Sequence, residues 1–154
     1  MISLEKIKSL IAEKLEEGNY FVVSLDVSTT NKIKLVVDSF EGITIQECVA
    51  FSRQIEHNLD REEEDFELEV ASPGLSSPLT VIQQYQKNIG RDLNVLLSDN
   101  TRITGQLLEV NEDVITLLEK KKVKVEGKKK KQTVEEKIII KFTDIQSALI
   151  VIKF

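Results

Sequence analysis

From Leu4 onward, apolar residues fall at Leu4, Ile7, Leu10, Ile11 and Leu15. These three- and four-residue intervals line one face of an α-helix. Ser3 stands where a hydroxyl caps such a helix, and Gly18 where the helix can end. The stretch from Tyr20 to Val27 is rich in β-formers. Ser28, Thr29, Thr30 and Asn31 then lead into Ile33, Leu35 and Val37, which alternate with Lys32, Lys34 and Val36. That pattern predicts a hairpin. After Gly42, Thr44 and Glu47 have the spacing of a capping box, in which each side chain satisfies a backbone N–H left unpaired at a helix start. The helix it opens carries Ile45, Cys48, Val49, Ile55 and Leu59 as its apolar positions, and an acidic turn follows over 60–65. Phe66, Leu68 and Val70 alternate with Glu67 and Glu69, the signature of a third strand. The first half thus reads α-β-β-α-β, with both helices on one face of the sheet.

Ser72-Pro73-Gly74-Leu75 comes next, followed by Ser76, Ser77 and Pro78. Proline sets φ at the second corner of a turn and glycine accepts positive φ at the third, so a type II turn is expected, with Gly74 intolerant of a side chain. Both prolines of the chain, Pro73 and Pro78, lie here, which predicts a stiff connector. Beyond it, 79–88 has the pattern of a short helix containing Val81, Ile82 and Tyr85. Strand-like runs occupy 93–97, 103–110, 114–118, 134–142 and 148–152, with a tight turn at Asn111, Glu112 and Asp113. Five short strands in half a small chain suit a barrel, which removes sheet edges by closing on itself. The expected organisation is an N-terminal α+β domain over 1–75, a linker over 76–80 and an all-β domain over 81–154.

Composition agrees with a folded chain: 154 residues, 41% of them apolar and 31% charged, are enough for two modest cores. Apolar runs stop at five residues, 148–152, far short of the roughly 18 a membrane helix needs. Glu5, Lys6 and Lys8 interrupt any signal-peptide pattern. Cys48 stands alone, so it has no partner for an internal disulfide, in keeping with a reducing compartment. A cytoplasmic protein without membrane contact is expected. The net charge of −5 changes meaning once the chain is divided. Residues 1–78 hold 7 Lys/Arg against 16 Asp/Glu, a balance of −9, whereas 79–154 hold 14 against 10, a balance of +4. Two surfaces of opposite sign suit two different partners.

Candidate chemistry is sparse. His57 is the one histidine and falls near a helix C-terminus, where a solvated position is expected. Cys48 lies on the apolar stripe of its helix, where a thiol without a basic neighbour is inert. One His and one Cys assemble neither a nucleophilic triad nor a zinc framework, and no glycine-rich phosphate loop is present. No cofactor or metal is expected. Asp26, Asp38 and the carboxylates of 62–65 leave a carboxylate-dependent nuclease as a formal option, against the plainer reading of solvated acidic turns. The strongest compositional signal is the run Lys120, Lys121, Lys122, Lys124, Lys128, Lys129, Lys130 and Lys131, interrupted by one glutamate, Glu126. That is a local +7 over twelve residues. Lysine attracts phosphate as a point charge but reads base edges poorly, so nucleic-acid contact here would be salt-sensitive and largely sequence-independent. A solubilising hairpin tip is the competing explanation.

The chain resembles the ribosome maturation factor RimP family. In the first half the resemblance rests on Gly42-Ile43-Thr44, Cys48, Ser52 and Arg53, and on the segment Phe66 to Leu75 closing with Pro78-Leu79. In the second half it rests on Tyr85, Gly90, Gly105, Leu107, Val110, Thr116-Leu117, Ile140, Phe142, Asp144-Ile145 and Ala148-Leu149. It implies an α-β-β-α-β domain followed by an SH3-like or Sm-like barrel. It further implies a monomeric, non-enzymatic factor that binds the immature small (30S) ribosomal subunit and assists late folding of its rRNA. The twelfth small-subunit ribosomal protein, a very basic chain, is the implied protein partner. The interdomain motif is Ser72, Pro73, Gly74, Leu75 and Pro78. Where the family commonly has Asp-Arg before that last proline, Ser76 and Ser77 stand here, so a contact made by the arginine is missing. The lysine run is also richer than the family pattern. The alternative is a generic Sm-like RNA-binding regulator, although such modules form rings and stack bases on aromatic residues that are few here.

Overall fold

The computed structural model describes residues 2–74, 76–124, 127 and 131–152, the side chains of 122–124, 131 and 132 excepted. The chain divides into two compact units, 1–74 and 75–154.

The first unit runs α1 (Leu4–Glu17), β1 (Tyr20–Val27), β2 (Lys32–Ser39), α2 (Ile45–Glu56) and β3 (Glu67–Ala71). Ser3 Oγ accepts from the Lys6 N–H at 3.2 Å and so caps α1, while Asn19 takes the left-handed turn, φ 54°, that returns the chain into β1. β1 and β2 pair antiparallel, and the α2 crossover brings β3 in parallel to β2, matching Ile33 with Leu68 and Leu35 with Val70. The alternation seen in the sequence puts Ile33, Leu35 and Val37 on the helix side, where they are buried with Ile7, Ile11, Phe51, Ile55 and Phe66. The turn between β1 and β2 is held by Asn31, whose φ of 58° only a short polar residue or glycine adopts readily. Its side chain accepts from the Ile2 N–H at 2.9 Å and donates to the Asp65 carbonyl at 3.2 Å, tying the start of the chain to the acidic turn.

The capping box forms as expected: Thr44 Oγ1 accepts from the Glu47 N–H at 3.1 Å, and Glu47 Oε1 accepts from the Thr44 N–H at 3.0 Å. The other Glu47 oxygen accepts from the Tyr20 hydroxyl, which joins the start of α2 to the start of β1. The apolar stripe of α2 differs from the one expected. Cys48, Phe51 and Ile55 are buried, whereas Ile45 is 83% exposed and Val49 42%. Phe51 meets Tyr20 edge-on at 5.0 Å and centres the stripe, leaving Ile45 and Val49 on its solvent flank.

The Tyr20–Glu47 bond has a pH signature. Donation to the carboxylate, followed by burial, pushes the Tyr20 phenol up to about 12, and the same bond holds Glu47 below its ordinary range. A raised phenol favours the folded state fully below its ordinary value of 10.0 and loses that contribution as pH climbs toward about 12; the lowered carboxyl loses its contribution on acidification below 4.5. Denaturation of Tyr20→Phe at about pH 8 and about pH 11 should therefore show a smaller alkaline loss of stability than the parent protein. Equal losses would mean that the bond contributes nothing.

The second unit runs α3 (Ile82–Lys87), β4 (Asp92–Leu97), β5 (Arg102–Val110), β6 (Val114–Lys124), β7 (Lys131–Lys141), a 3₁₀ turn (Phe142–Asp144) and β8 (Ile145–Ile150). Its strands form one antiparallel sheet in the order β7-β6-β5-β4-β8. Pairing ends at β7 and β8, so among the described residues the sheet is not closed into the barrel expected from sequence. It nevertheless curls, because all five strands send buried residues to one core: Leu93 and Val95, Leu107, Ile115 and Leu117, Ile140, and Ala148. Register shifts at Leu107/Glu109 and Leu96/Leu97 bend β5 and β4, as bulges do. Leu79, in the stretch expected to be linker, is buried in this core and donates its N–H to the Ala148 carbonyl at 2.8 Å. Gln84 is buried too, and its Oε1 accepts from the N–H groups of Thr80 and Val81, closing the start of α3.

Candidate nucleic-acid interface

The lysine run occupies the β6–β7 ribbon. The register pairs Leu117 with Ile138, Glu119 with Glu136, Lys120 with Glu135, Lys121 with Val134 and Lys124 with Lys131. Successive residues of a strand point to opposite faces, so positions 120, 122, 124 and 131 share the face away from the core, and 121 falls on the core-side face extended past its last apolar layer. At the base of the ribbon the charge is balanced. Lys121 Nζ lies 2.9 Å from the mostly buried Glu119 carboxylate, and Lys120 Nζ lies 4.0 Å from Glu135. Both ammonium groups stay largely in solvent, where such pairs are weak and an incoming phosphate can compete. Toward the tip the sequence carries lysines against the single Glu126. For Lys122, Lys124 and Lys131 the backbone places the residues on the ribbon; Lys128, Lys129 and Lys130 lie outside the described residues.

The connector residues stand at the division between the two units in the chain. Ser72, Pro73 and Gly74 follow β3 without regular secondary structure, and the type II turn expected over 72–75 includes Leu75, which lies outside the described residues. Ser72, Gly74 and Pro78 are exposed, Pro73 is half-buried, and Leu75 lies outside the described residues.

The remaining candidates have structural surroundings. His57 is the exposed C-cap of α2 and donates its backbone N–H to the Arg53 carbonyl at 2.9 Å. Burial pushes the Cys48 thiol up, away from thiolate reactivity, and the charges of Glu47 and Asp38 add to the effect. Asp38 is buried, and Asp26 is exposed. Arg61 organises the acidic turn: its guanidinium stacks over Phe66 at 4.1 Å, bonds Glu56 at 2.7 Å and Asp65 at 3.1 Å, and donates to the Phe66 carbonyl at 2.6 Å. No three His, Cys, Asp or Glu side chains gather in a metal-holding group among the described residues. No helix among them is long and apolar enough to cross a membrane. The Arg61 clamp and the Asn31 tie were not singled out in the sequence, since a lone arginine in an acidic run and an asparagine in a turn carry no spacing signal.

The surface of the first unit is acidic, with Glu13, Glu16, Glu17, Glu41, Glu62 and Glu63 all exposed. An acidic α-β-β-α-β unit followed by a unit built mainly of one curled antiparallel sheet with a lysine ribbon defines a two-unit α+β protein whose recognisable features are surfaces. Comparison with known proteins specifies the class. Residues 10–76 match the model of the RimP N-terminal domain. The chain is 43% identical over 151 residues to the ribosome maturation factor RimP of Christiangramia forsetii, covering 97% of this chain and 98% of that one. It is 40% identical over 152 residues to that of Porphyromonas gingivalis, covering 99% and 100%, and 41% identical over 151 residues to that of Flavobacterium psychrophilum, covering 97% of each. The chain belongs to the ribosome maturation factor RimP family.

Proposed function

We propose that this protein is a ribosome maturation factor that binds the immature small (30S) ribosomal subunit in the cytoplasm and assists late rRNA folding without catalysing a covalent step. The observation that carries this reading is the end-to-end similarity to proteins named ribosome maturation factor RimP, at 43% identity over nearly the whole of both chains. The charge division supports it. The acidic unit suits a very basic small-subunit ribosomal protein, the twelfth in the family's pattern, and the lysine ribbon suits rRNA phosphate. A monomer working this way shifts RNA folding only through its different affinities for the two RNA states, and leaves when the mature state no longer offers the better surface.

A tagged copy recovered from growing cells should bring small-subunit precursors with it, in preference to mature subunits. Recovery of neither precursor nor ribosomal protein would refute the reading, and a ring-sized mass in solution would favour the Sm-like alternative. Replacing Lys128, Lys129, Lys130 and Lys131 by Ala should weaken precursor binding and flatten its dependence on salt, by a slope of up to about 4 if each lysine neutralises one phosphate. An unchanged slope would assign these lysines to solubility.

A further inference from the structure

Beside the base of the lysine ribbon lies a cleft of about 760 Å³, formed where β4, β5, β6 and the end of β8 meet. We propose that it receives one unstacked nucleotide of a single-stranded RNA segment, an inference that rests on the RNA-binding reading above and extends it from phosphate attraction to base recognition. The volume falls within the roughly 300–1,000 Å³ usual for small-molecule sites. Leu118 and Ile152 supply apolar walls against which a base can lie, and Thr104 and Gln106 supply hydrogen-bonding groups. Gln106 Nε2 donates to the Gly90 carbonyl at 3.0 Å, so the amide is fixed before any ligand arrives. Arg91 and Lys120 also line the cleft, against one carboxylate, Asp92.

A further observation points to RNA as the occupant. Lys120 belongs both to the cleft wall and to the ribbon, so a strand whose phosphates follow the lysines arrives at the cleft without leaving the protein surface. The two surfaces divide the work. The ribbon supplies salt-sensitive attraction to any phosphate backbone, while the cleft, with its charges partly balanced, distinguishes a flipped base from a paired one.

The test compares a short single-stranded RNA, the same sequence as a duplex, and free nucleoside monophosphates, using the full chain. Thr104→Phe places a ring in the cleft from an exposed strand position that tolerates aromatic residues. It should weaken single-strand binding about tenfold and leave duplex binding unchanged. Equal effects on both RNAs, or none on the single strand, would overturn the proposal, and precursor binding that survives either result keeps the broader function standing. Monophosphates that compete as well as the oligonucleotide would identify a free nucleotide as the occupant and refute the strand. Cross-linking of a 4-thiouridine oligonucleotide to the unmodified protein guards against misfolding of the variant. Adducts are expected within 90–92, 104–106 or 150–152, and adducts confined to the ribbon would count against the cleft.

Discussion

Phe51→Ala is expected to unfold the first unit while the second stays folded. The ring is fully buried, lies edge-on to Tyr20 at 5.0 Å and shares its cluster with Ile7 and Ile11 of α1 and with Ile33, Leu35 and Val37 of β2. Truncating a buried phenylalanine removes its transfer free energy and leaves a cavity, together about 3–5 kcal/mol. A unit of this size has a total stability of roughly 4–11 kcal/mol at about 0.05–0.15 kcal/mol per residue, so the loss takes most of the margin. The second unit has its own cluster, centred on Leu93, Leu107, Ile115 and Leu117, and loses nothing directly. Hydrogen exchange should show protection collapsing in α1, α2 and β1–β3 while β4–β8 keep theirs, and Phe51→Leu should retain much of the stability. Simultaneous loss in both units would show that they fold as one.

Phe51 also marks where sequence reasoning stopped short. The α2 segment offers two overlapping apolar sets, Ile45/Val49 and Cys48/Phe51/Ile55, and both fit helical spacing. Which set faces inward depends on the angle at which α2 meets the sheet, and that is fixed by contacts from Tyr20 and α1, distant in sequence. The α-β-β-α-β order, by contrast, was legible because α1 has its serine cap, α2 its capping box, and β2 and β3 alternate between exposed and inward positions over 32–35 and 67–70. In the second unit the strands were legible only as far as the core reaches. Strand β6 runs past Leu118 to Lys124, and β7 starts at Lys131 instead of Val134. Beyond the last apolar pair of the ladder, Leu117 with Ile138, the paired sequence is mostly Lys, Glu, Gln and Thr, so no hydrophobic period marks the ribbon although the strand pairing continues.

The candidate site was legible to different depths for the same reason. The lysine run is a compositional signal and can be read without coordinates. The cleft at its base cannot, because Thr104 and Gln106 come from β5, Leu118 and Lys120 from β6, and Arg91 and Ile152 from the segments flanking β4 and β8, and no spacing rule connects residues that only the curl of a sheet assembles. The signals legible along the chain are therefore charge and a connector, while the cleft emerges only with the fold.

That curl makes Gly105→Ala the second large effect, and its sign separates two accounts of the strand. Gly105 is buried within β5, opposite Leu93 of β4. Glycine inside a strand ordinarily weakens it through backbone entropy, so on propensity alone alanine should stabilise by roughly 0.5–1 kcal/mol. Here a Cβ would lie 2.8 Å from the Leu118 carbonyl oxygen, 3.1 Å from its carbon and 3.3 Å from Leu117 Cβ. Two of these are backbone atoms of the neighbouring strand and have no rotamer by which to move aside. Strand β6 folds this closely over β5 because the bulge next to Leu107 turns the sheet, and relieving the contact would flatten the curl that gathers Leu93, Leu107 and Leu117 into one core. Overpacking at such a point costs about 1–3 kcal/mol. In a domain of this size each kcal/mol lowers the melting midpoint by roughly 4–8 °C, so a transition of the second unit lower by about 10 °C is expected, with the first unit unmoved. A rise in the midpoint would mean that the sheet accommodates a flatter form. Since Gly105 also lines the cleft between Thr104 and Gln106, a flatter sheet would alter the shape of the cleft, and single-strand RNA affinity measured on the same variant should fall even where the unit remains folded.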